Sequence, residues 1–74
     1  MSLIMANGRR VEVEHDGEGY VDIEELRRQM GVGPRRVVIA QQPDGRNEIV
    51  PAAGRRMLKP DEAFMDAPIA ERGI

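Results

Sequence analysis

The chain contains no cysteine, no tryptophan and no threonine, and it has one residue each of serine, histidine, lysine, tyrosine and phenylalanine. Without cysteine there is neither a disulfide nor a thiolate metal site to stabilise the fold, as is typical of proteins in the reducing cytoplasm. No apolar run approaches the roughly 18 to 20 residues of a membrane span, and the pattern of a secretory signal is absent. The composition therefore predicts a soluble, cytoplasmic protein.

The scarcity of nucleophilic and basic side chains argues against catalysis. Nucleophilic catalysis needs a serine, cysteine, threonine or activated lysine beside a base, and the candidates here are Ser2, Lys59 and His15. Ser2 lies in Met1-Ser2-Leu3, a segment that an expression leader could supply, so a histidine-based triad would have to unite two residues near the start of the chain. We expect no enzyme activity and no cofactor.

The spacing of possible ligands argues against a metal site and against a phosphate-binding loop. Oxygen and imidazole ligands occur together at Glu14, His15, Asp16 and Glu18, but their spacing matches neither a zinc site nor a calcium loop. The pairs Gly17-x-Gly19 and Gly31-x-Gly33 neither follow a buried strand nor open a helix, as a dinucleotide fingerprint would require. We therefore expect no metal site and no phosphate cradle.

Charge is unevenly distributed along a chain whose formal net charge is −2. Seven acids and no lysine or arginine lie between Glu12 and Glu25, whereas arginine pairs recur at Arg9-Arg10, Arg27-Arg28, Arg35-Arg36 and Arg55-Arg56. Nucleic-acid binders usually show a basic excess, and single-strand binders interleave aromatics with it. We interpret the charges as solvated faces and do not expect nucleic-acid binding.

Chain length and turn signals predict one thin-cored domain that begins with a hairpin. A chain of 74 residues removes only about 60% of its unfolded surface from water on folding. Asn7-Gly8 favours a two-residue turn between Leu3–Ala6 and the alternating Val11–Val13 segment. A loop should follow over residues 15–19.

The segment after that loop predicts a helix. Asp22 can cap it and Glu25 can return a hydrogen bond, while Gly31 and Pro34 end it. An apolar face comprises Ile23, Leu26 and Met30, and Glu24 can pair with Arg28 on the solvent-exposed face.

Later segments predict the remaining strands. The run Val37-Val38-Ile39-Ala40 is typical of a strand at the middle of a core, and Pro43-Asp44-Gly45 turns the chain into a strand at Glu48–Val50. Met57 and Leu58 indicate one more strand. A helical turn from Pro60 should then return Phe64 to the core, with a tail from Asp66 onward.

This order of elements predicts an α+β fold, specifically a ubiquitin-like β-grasp with a mixed four- to five-stranded sheet and one helix packed across it. A right-handed crossover should pass from the second strand through the helix to the third. We expect Ile23, Leu26 and Met30 to pack over four sheet residues: Val11, Val13, Val37 and Ile39. The domain should span residues 1–68, with a flexible tail over 69–74.

The elements also resemble, in order and spacing, the bacterial multiubiquitin domain. The resemblance covers about residues 5–68, and the residues that carry it are Asn7-Gly8-Arg9, the helix from Asp22 to Met30 with Gly31-Val32 and Pro34, Val37-Val38-Ile39, Pro43-Asp44-Gly45, Phe64 and Pro68. It implies a modifier or its precursor, acting with activating and conjugating enzymes as protein partners. Members of that family often occur as tandem copies.

Conjugation of that kind would use the C-terminal tail, where Arg72 and Gly73 are the candidates, although Ile74 follows the glycine. The resemblance therefore leaves three readings open: proteolytic exposure of Gly73, a longer natural chain, or a docking module that is never activated. A lysine-linked chain could run only through Lys59. Ile49 and Val50 are candidates for an exposed docking patch, with burial in the core as the alternative.

A second resemblance is to AbrB-type swapped-hairpin DNA-binding domains. It rests on the segment from Gly19 to Val32 and on Val37-Val38-Ile39, although the proline that usually begins the helix of that family is absent. This resemblance implies a dimeric transcription factor or antitoxin with arginines facing DNA.

Overall fold

The predicted N-terminal hairpin is present in the computed structural model, which describes residues 2–69 of the chain. Strand β1 (Ser2–Ala6) pairs antiparallel with β2 (Arg9–Val13), so that Ala6 lies opposite Arg9 across the turn. The turn residues Asn7 and Gly8 have φ angles of 53° and 78°. Two successive positive φ angles are the geometry that an Asn-Gly turn favours, which explains why the chain reverses here.

A short strand, β3 (Tyr20–Asp22), leads directly into the helix α1 (Ile23–Met30). The Asp22 side chain accepts a hydrogen bond from the Glu25 amide at 3.2 Å, and Gly31 ends the helix with φ of 75°. Ile23 and Leu26 are buried and Met30 packs against them, which confirms the predicted apolar face. No helix in residues 2–69 is long and apolar enough to cross a membrane.

The polar side of α1 differs from the prediction. The Glu25 carboxylate does not return to the start of the helix but contacts Arg28 and Gln29, its neighbours three and four residues later. Arg28 is therefore paired with Glu25 and not with Glu24. Residues one turn apart compete for the same partner, and spacing alone does not decide between i,i+3 and i,i+4 pairs.

The remaining strands complete two sheets. They are β4 (Arg36–Gln41), β5 (Asn47–Val50), β6 (Arg55–Met57) and β7 (Ala63–Pro68). Five strands form a mixed sheet in the order β2-β1-β7-β4-β5, in which β1 and β7 are parallel and the other neighbours are antiparallel. The short strands β3 and β6 pair separately. The chain is therefore an α+β protein with α1 connecting β2 to β4 by way of β3.

The predicted tail contains the middle strand of the sheet, and the predicted core strand β4 lies beside it, paired on both sides. β4 has only β5 between it and the sheet edge, whereas β7 is the middle strand and extends to Pro68. A tail from Asp66 and a helical turn at Pro60 are therefore wrong. The sequence of this segment does not predict a strand, because Ala63, Asp66 and Pro68 have low β propensity. Pairing with strands on both sides overrides that preference.

The side chains under the helix also differ from the prediction by one residue. Val38 and Ala40 are buried, while Val37 and Ile39 are only half-buried on the opposite face of β4. Val13 is buried as expected, and Phe64 confirms its place in the core with 2% of its surface exposed. A continuous apolar run offers no alternation, so the sequence could not assign the two faces of β4.

A polar cluster ties the hairpin turn to β7 and β4 at one end of the core. The Asn7 side chain donates to Asp66 at 2.6 Å and its amide oxygen accepts from the Asp66 backbone N–H at 3.3 Å. The Arg36 guanidinium also contacts the Asp66 carboxylate. Hydrogen bonds from Arg36 and Asn7 lower the pKa of Asp66 below its ordinary value.

The face assignment on β4 is testable with the same substitution at adjacent positions. Val38→Ala removes two buried methyl groups and should lower the free energy of unfolding by about 2 to 3 kcal/mol. Val37→Ala removes them from a half-buried site and should cost less than about 1 kcal/mol. Urea denaturation of both variants measures the difference. Equal losses would contradict the register described here.

The Asp66 cluster predicts a dependence of stability on pH. Because the folded pKa is lowered, the stabilisation is complete above the unfolded pKa, near 3.8, and is lost as the pH falls through the folded value. Asp66→Asn should therefore cost about 1 to 2 kcal/mol at pH 7 and progressively less below about pH 4. Asp61→Asn, which alters an exposed carboxyl with no partner in residues 2–69, is the matched control and should cost less than Asp66→Asn at pH 7.

Candidate functional site

The face of the five-stranded sheet opposite α1 is apolar and exposed. Leu3 and Met5 on β1 are 62% and 43% exposed, and Ile49 on β5 is 69% exposed. Each has a neighbour in its own strand that points into the core, because successive side chains alternate between faces. The strands that build the core therefore present a second apolar surface on their other side.

The strand register brings the residues of this surface together, and we call it the open face. Ile49 lies opposite Ile39, and Ile39 lies opposite Met65, which makes a row of three large apolar side chains across β5, β4 and β7. Val37 pairs with Ala67 in the adjacent row. Side chains directly opposite one another are within contact distance, so these rows form a continuous patch.

Within the five strands, the charges on the open face are confined to one edge. The three strands β7, β4 and β5 contribute only uncharged residues to it: Ala63, Met65, Ala67, Val37, Ile39, Gln41, Asn47 and Ile49. The charged side chains are Arg10 and Glu12 on β2, opposite Met5 and Leu3. An apolar centre with a polar rim is the arrangement of protein-binding surfaces.

The two residues proposed as a docking patch are separated by the sheet. Ile49 belongs to the open face, whereas Val50 points into the core and is 2% exposed. Adjacent residues in a strand face opposite sides, so they could not both be surface residues. Leu3, Met5, Ile39 and Met65 take the place of Val50 in the patch. Strand alternation could have suggested Ile39 once β4 and β5 were paired.

Of the conjugation candidates, only Lys59 falls within the described residues, where it lines a pocket together with Leu3 and Met5 of the open face. Lys59 is exposed in the segment between β6 and β7, with its Nζ 4.0 Å from a Glu48 carboxylate oxygen. Arg72 and Gly73 lie outside the described residues. A modification of Lys59 therefore remains a prediction that the exposure of its side chain permits.

A buried ion pair beside Lys59 was not predicted. Glu62 has only 1% of its side chain exposed, and it accepts hydrogen bonds from Arg56 at 2.5 Å, from Gln42 at 2.6 Å and from the Lys59 amide at 3.3 Å. Arg56, whose side chain is 10% exposed, also contacts Glu48 at 3.0 Å. Nothing in the sequence distinguishes these residues from the other charged ones, because their burial arises from the packing of β6 against the segment that precedes β7.

Arg56 is held in its charged form. Burial opposes the charge on Arg56, but hydrogen bonds to Glu48 and Glu62 outweigh it and raise the pKa of Arg56 above its ordinary value. The pKa of Glu48 is lowered, mainly by its hydrogen bond from Arg56. The Arg56 Nε is buried without a hydrogen-bond partner. The cluster therefore locks β6 to β5 and to the start of β7.

The candidate catalytic residues Ser2 and His15 contact each other on the surface, and the candidate metal ligands lie in a loop. Ser2 Oγ and His15 Nδ1 are 2.8 Å apart on the surface, and no carboxylate in residues 2–69 hydrogen-bonds to that histidine. Asp16 accepts the amides of Glu18 and Tyr20, which together with Arg55 lower its pKa. The described residues contain no group of three His, Asp or Glu side chains placed to hold a metal ion.

The buried pair predicts unequal effects for two carboxylates that share Arg56. Glu62→Gln leaves a buried guanidinium without its main counter-charge and should lower the free energy of unfolding by about 3 kcal/mol. Glu48→Gln acts at an exposed partner and should cost much less than Glu62→Gln. Thermal or urea denaturation measures both. The double variant Arg56→Met with Glu62→Leu should lose less than Glu62→Gln alone, and a larger loss would contradict this account.

The chain was compared with family models, with curated proteins and with solved structures, and none of the three comparisons found a match.

Proposed function

We propose that this chain is a ubiquitin-like β-grasp domain that acts without catalysis, as a modifier or protein-interaction module of a bacterial ubiquitin-like system. The observation that carries the functional part is the open face, an apolar surface of a small domain on which no element of residues 2–69 packs. Isolated apolar side chains are common on protein surfaces, whereas a contiguous patch usually marks a site of interaction.

The strand arrangement supports the β-grasp part of the proposal. A β-grasp is a mixed sheet with one helix packed across one face. The order β2-β1-β7-β4-β5, with β1 parallel to β7 and α1 over the face that carries Val38 and Phe64, meets that description. The separate β3–β6 pair is an addition at the side of the helix.

The residues of the open face favour a protein partner. Aromatic stacking and clustered arginines, which single-stranded nucleic acid and DNA phosphates would need, are absent from β7, β4 and β5 on this side of the sheet. Ile49, Ile39 and Met65 offer apolar contacts of different depth, since Ile49 projects and its two neighbours are half-buried. Such a surface suits an apolar side chain of a partner protein.

The AbrB-type alternative, a dimeric DNA-binding transcription factor or antitoxin, receives less support. Two of the chain's arginines have other partners, since Arg27 donates to the backbone carbonyls of Gly33 and Arg36, and Arg36 contacts Asp66.

The proposal is tested with this chain, ATP and a bacterial ubiquitin-type activating enzyme. Activation joins the C-terminal carboxylate to AMP and releases pyrophosphate, so pyrophosphate exchange measures it. Ile49→Asp places a charge at the most exposed residue of the apolar row, at its β5 end, and should reduce exchange about tenfold. Asn47→Asp adds the same charge on the same strand and face but in a polar row, and should change exchange less than about twofold.

Loss of exchange in both variants, or in neither, would count against docking through the open face. If the wild-type chain is never activated but binds duplex DNA with an affinity that falls steeply as salt rises, the AbrB-type alternative replaces the proposal.

A further inference from the structure

The strand β2 is a free edge of the five-stranded sheet. It pairs with β1 on one side, and no strand of residues 2–69 pairs with its other side. Five residues, Arg9 to Val13, run along this edge. An edge strand exposes a row of backbone donors and acceptors that can pair with another strand, so its side chains decide whether it does.

The hairpin determines which backbone groups are exposed. Asn7 donates its amide to Phe64, on the β7 side of β1, so Ala6 directs its backbone groups towards β2. Ala6 lies opposite Arg9, and alternation along the strand then directs Arg9, Val11 and Val13 towards β1. The backbone groups of Arg10 and Glu12 therefore point outward.

The charges on this edge have no partners within the described chain. Arg9, Arg10, Glu12 and Glu14 are exposed and make no ion pair in residues 2–69. Arginines elsewhere are engaged: Arg36 contacts Asp66, Arg55 contacts Asp16 and Arg56 contacts Glu62. Unpaired charges of both signs are thus concentrated on one strand, basic at its start and acidic at its end.

A groove beside the acidic end adds an independent observation. It has a volume of about 330 Å³ and is lined by Glu12, Glu14, Glu25 and Gln29, of which Glu25 is already engaged by Arg28. It lies between β2 and α1, next to the outward edge. A partner strand that carried a cation opposite Val13 would place it at this groove.

We propose that two copies of this chain pair through their β2 strands, antiparallel about a two-fold axis at Val11, to form one continuous ten-stranded sheet. In this register Arg10 lies opposite Glu12 of the second copy, and Glu12 lies opposite its Arg10. The two pairs are equivalent by symmetry, as a two-fold interface requires. Each is a pair of residues whose backbone groups point outward, so each can exchange two hydrogen bonds.

Other two-fold registers are worse. An axis at Arg10 or at Glu12 places two like charges directly opposite each other, which destabilises a strand pair. A two-fold axis that passes between two adjacent residues is also unfavourable. It places a residue whose backbone groups point outward opposite a residue whose backbone groups already bond to β1. The register at Val11 also sets Arg9 opposite Val13 of the second copy, where its guanidinium reaches the acidic groove.

Charges on an edge strand commonly serve to prevent pairing, and that role is the competing explanation. The two roles differ in sequence dependence. A protective edge needs charge of any sign, whereas a paired edge needs opposite signs at residues 10 and 12. Exchange of the charges between these two positions therefore separates the explanations.

The experiment is sedimentation equilibrium of the full chain from roughly 10 µM to 1 mM, a range suited to a small, weak interface. The wild type should form a dimer at the upper end, weakened by salt because the ion pairs are exposed. Arg10→Glu and Glu12→Arg should each weaken dimerisation about tenfold, because both pairs then oppose like charges. The double exchange should restore dimerisation to within about threefold.

A one-to-one mixture of the two single variants gives the sharpest control. All pairs between the two variants are again opposite in sign, so the mixture should form a heterodimer although neither variant dimerises well alone. Ile49→Asp, on the open face, should leave the dimer unchanged. A monomer throughout the concentration range overturns the proposal, as does a dimer that ignores the charge exchange or that Ile49→Asp abolishes.

Discussion

The sheet depends on the pairing of β7 with two hairpins that would otherwise share no hydrogen bonds. β1 and β2 form one hairpin and β4 and β5 another, and β7 lies between them, parallel to β1 and antiparallel to β4. Phe64 on this strand lies opposite Ala6 on one side and Ala40 on the other. The small residues beside it leave room for the aromatic ring beneath α1, so one strand supplies both the ladder and the centre of the core.

The same strand sets the chemistry of the opposite face. Alternation that buries Phe64 directs Met65 outward, into line with Ile39 and Ile49. The strands that carry these residues are paired on both sides or pack on the core. The backbone of the open face is therefore already ordered, and a partner would pay little conformational entropy on binding. The edge at β2 has the reverse character, with charged side chains and unpaired backbone groups. One sheet thus carries an apolar surface and a polar edge whose interactions respond differently to salt.

The arginine pairs follow from the same geometry. Adjacent residues in a strand point to opposite faces, so each pair within a strand directs one guanidinium to each side. In β6, Arg56 reaches the buried Glu62 while Arg55 contacts Asp16 and lies 4.7 Å above the Tyr20 ring. In β2, neither Arg9 nor Arg10 has such a partner within residues 2–69, because no strand of that part of the chain covers this edge. Pairing of arginines in the sequence therefore says little about a common basic surface.

Local chemistry in the sequence determined the hairpin at Asn7-Gly8, the helix from its Asp22 cap to Gly31, and the turn at Pro43-Asp44-Gly45, because each depends on residues a few positions apart. The face of β4 that enters the core, the strand character of Ala63–Pro68 and the burial of Glu62 were decided by tertiary structure. Each depends on a partner distant in the chain: β7 gains its ladder from β1 and β4, and Glu62 gains its counter-charge from Arg56. Local propensity is weak and does not specify such partners. The open face depends on the register of β5, β4 and β7 together, so it is defined only when the sheet is assembled.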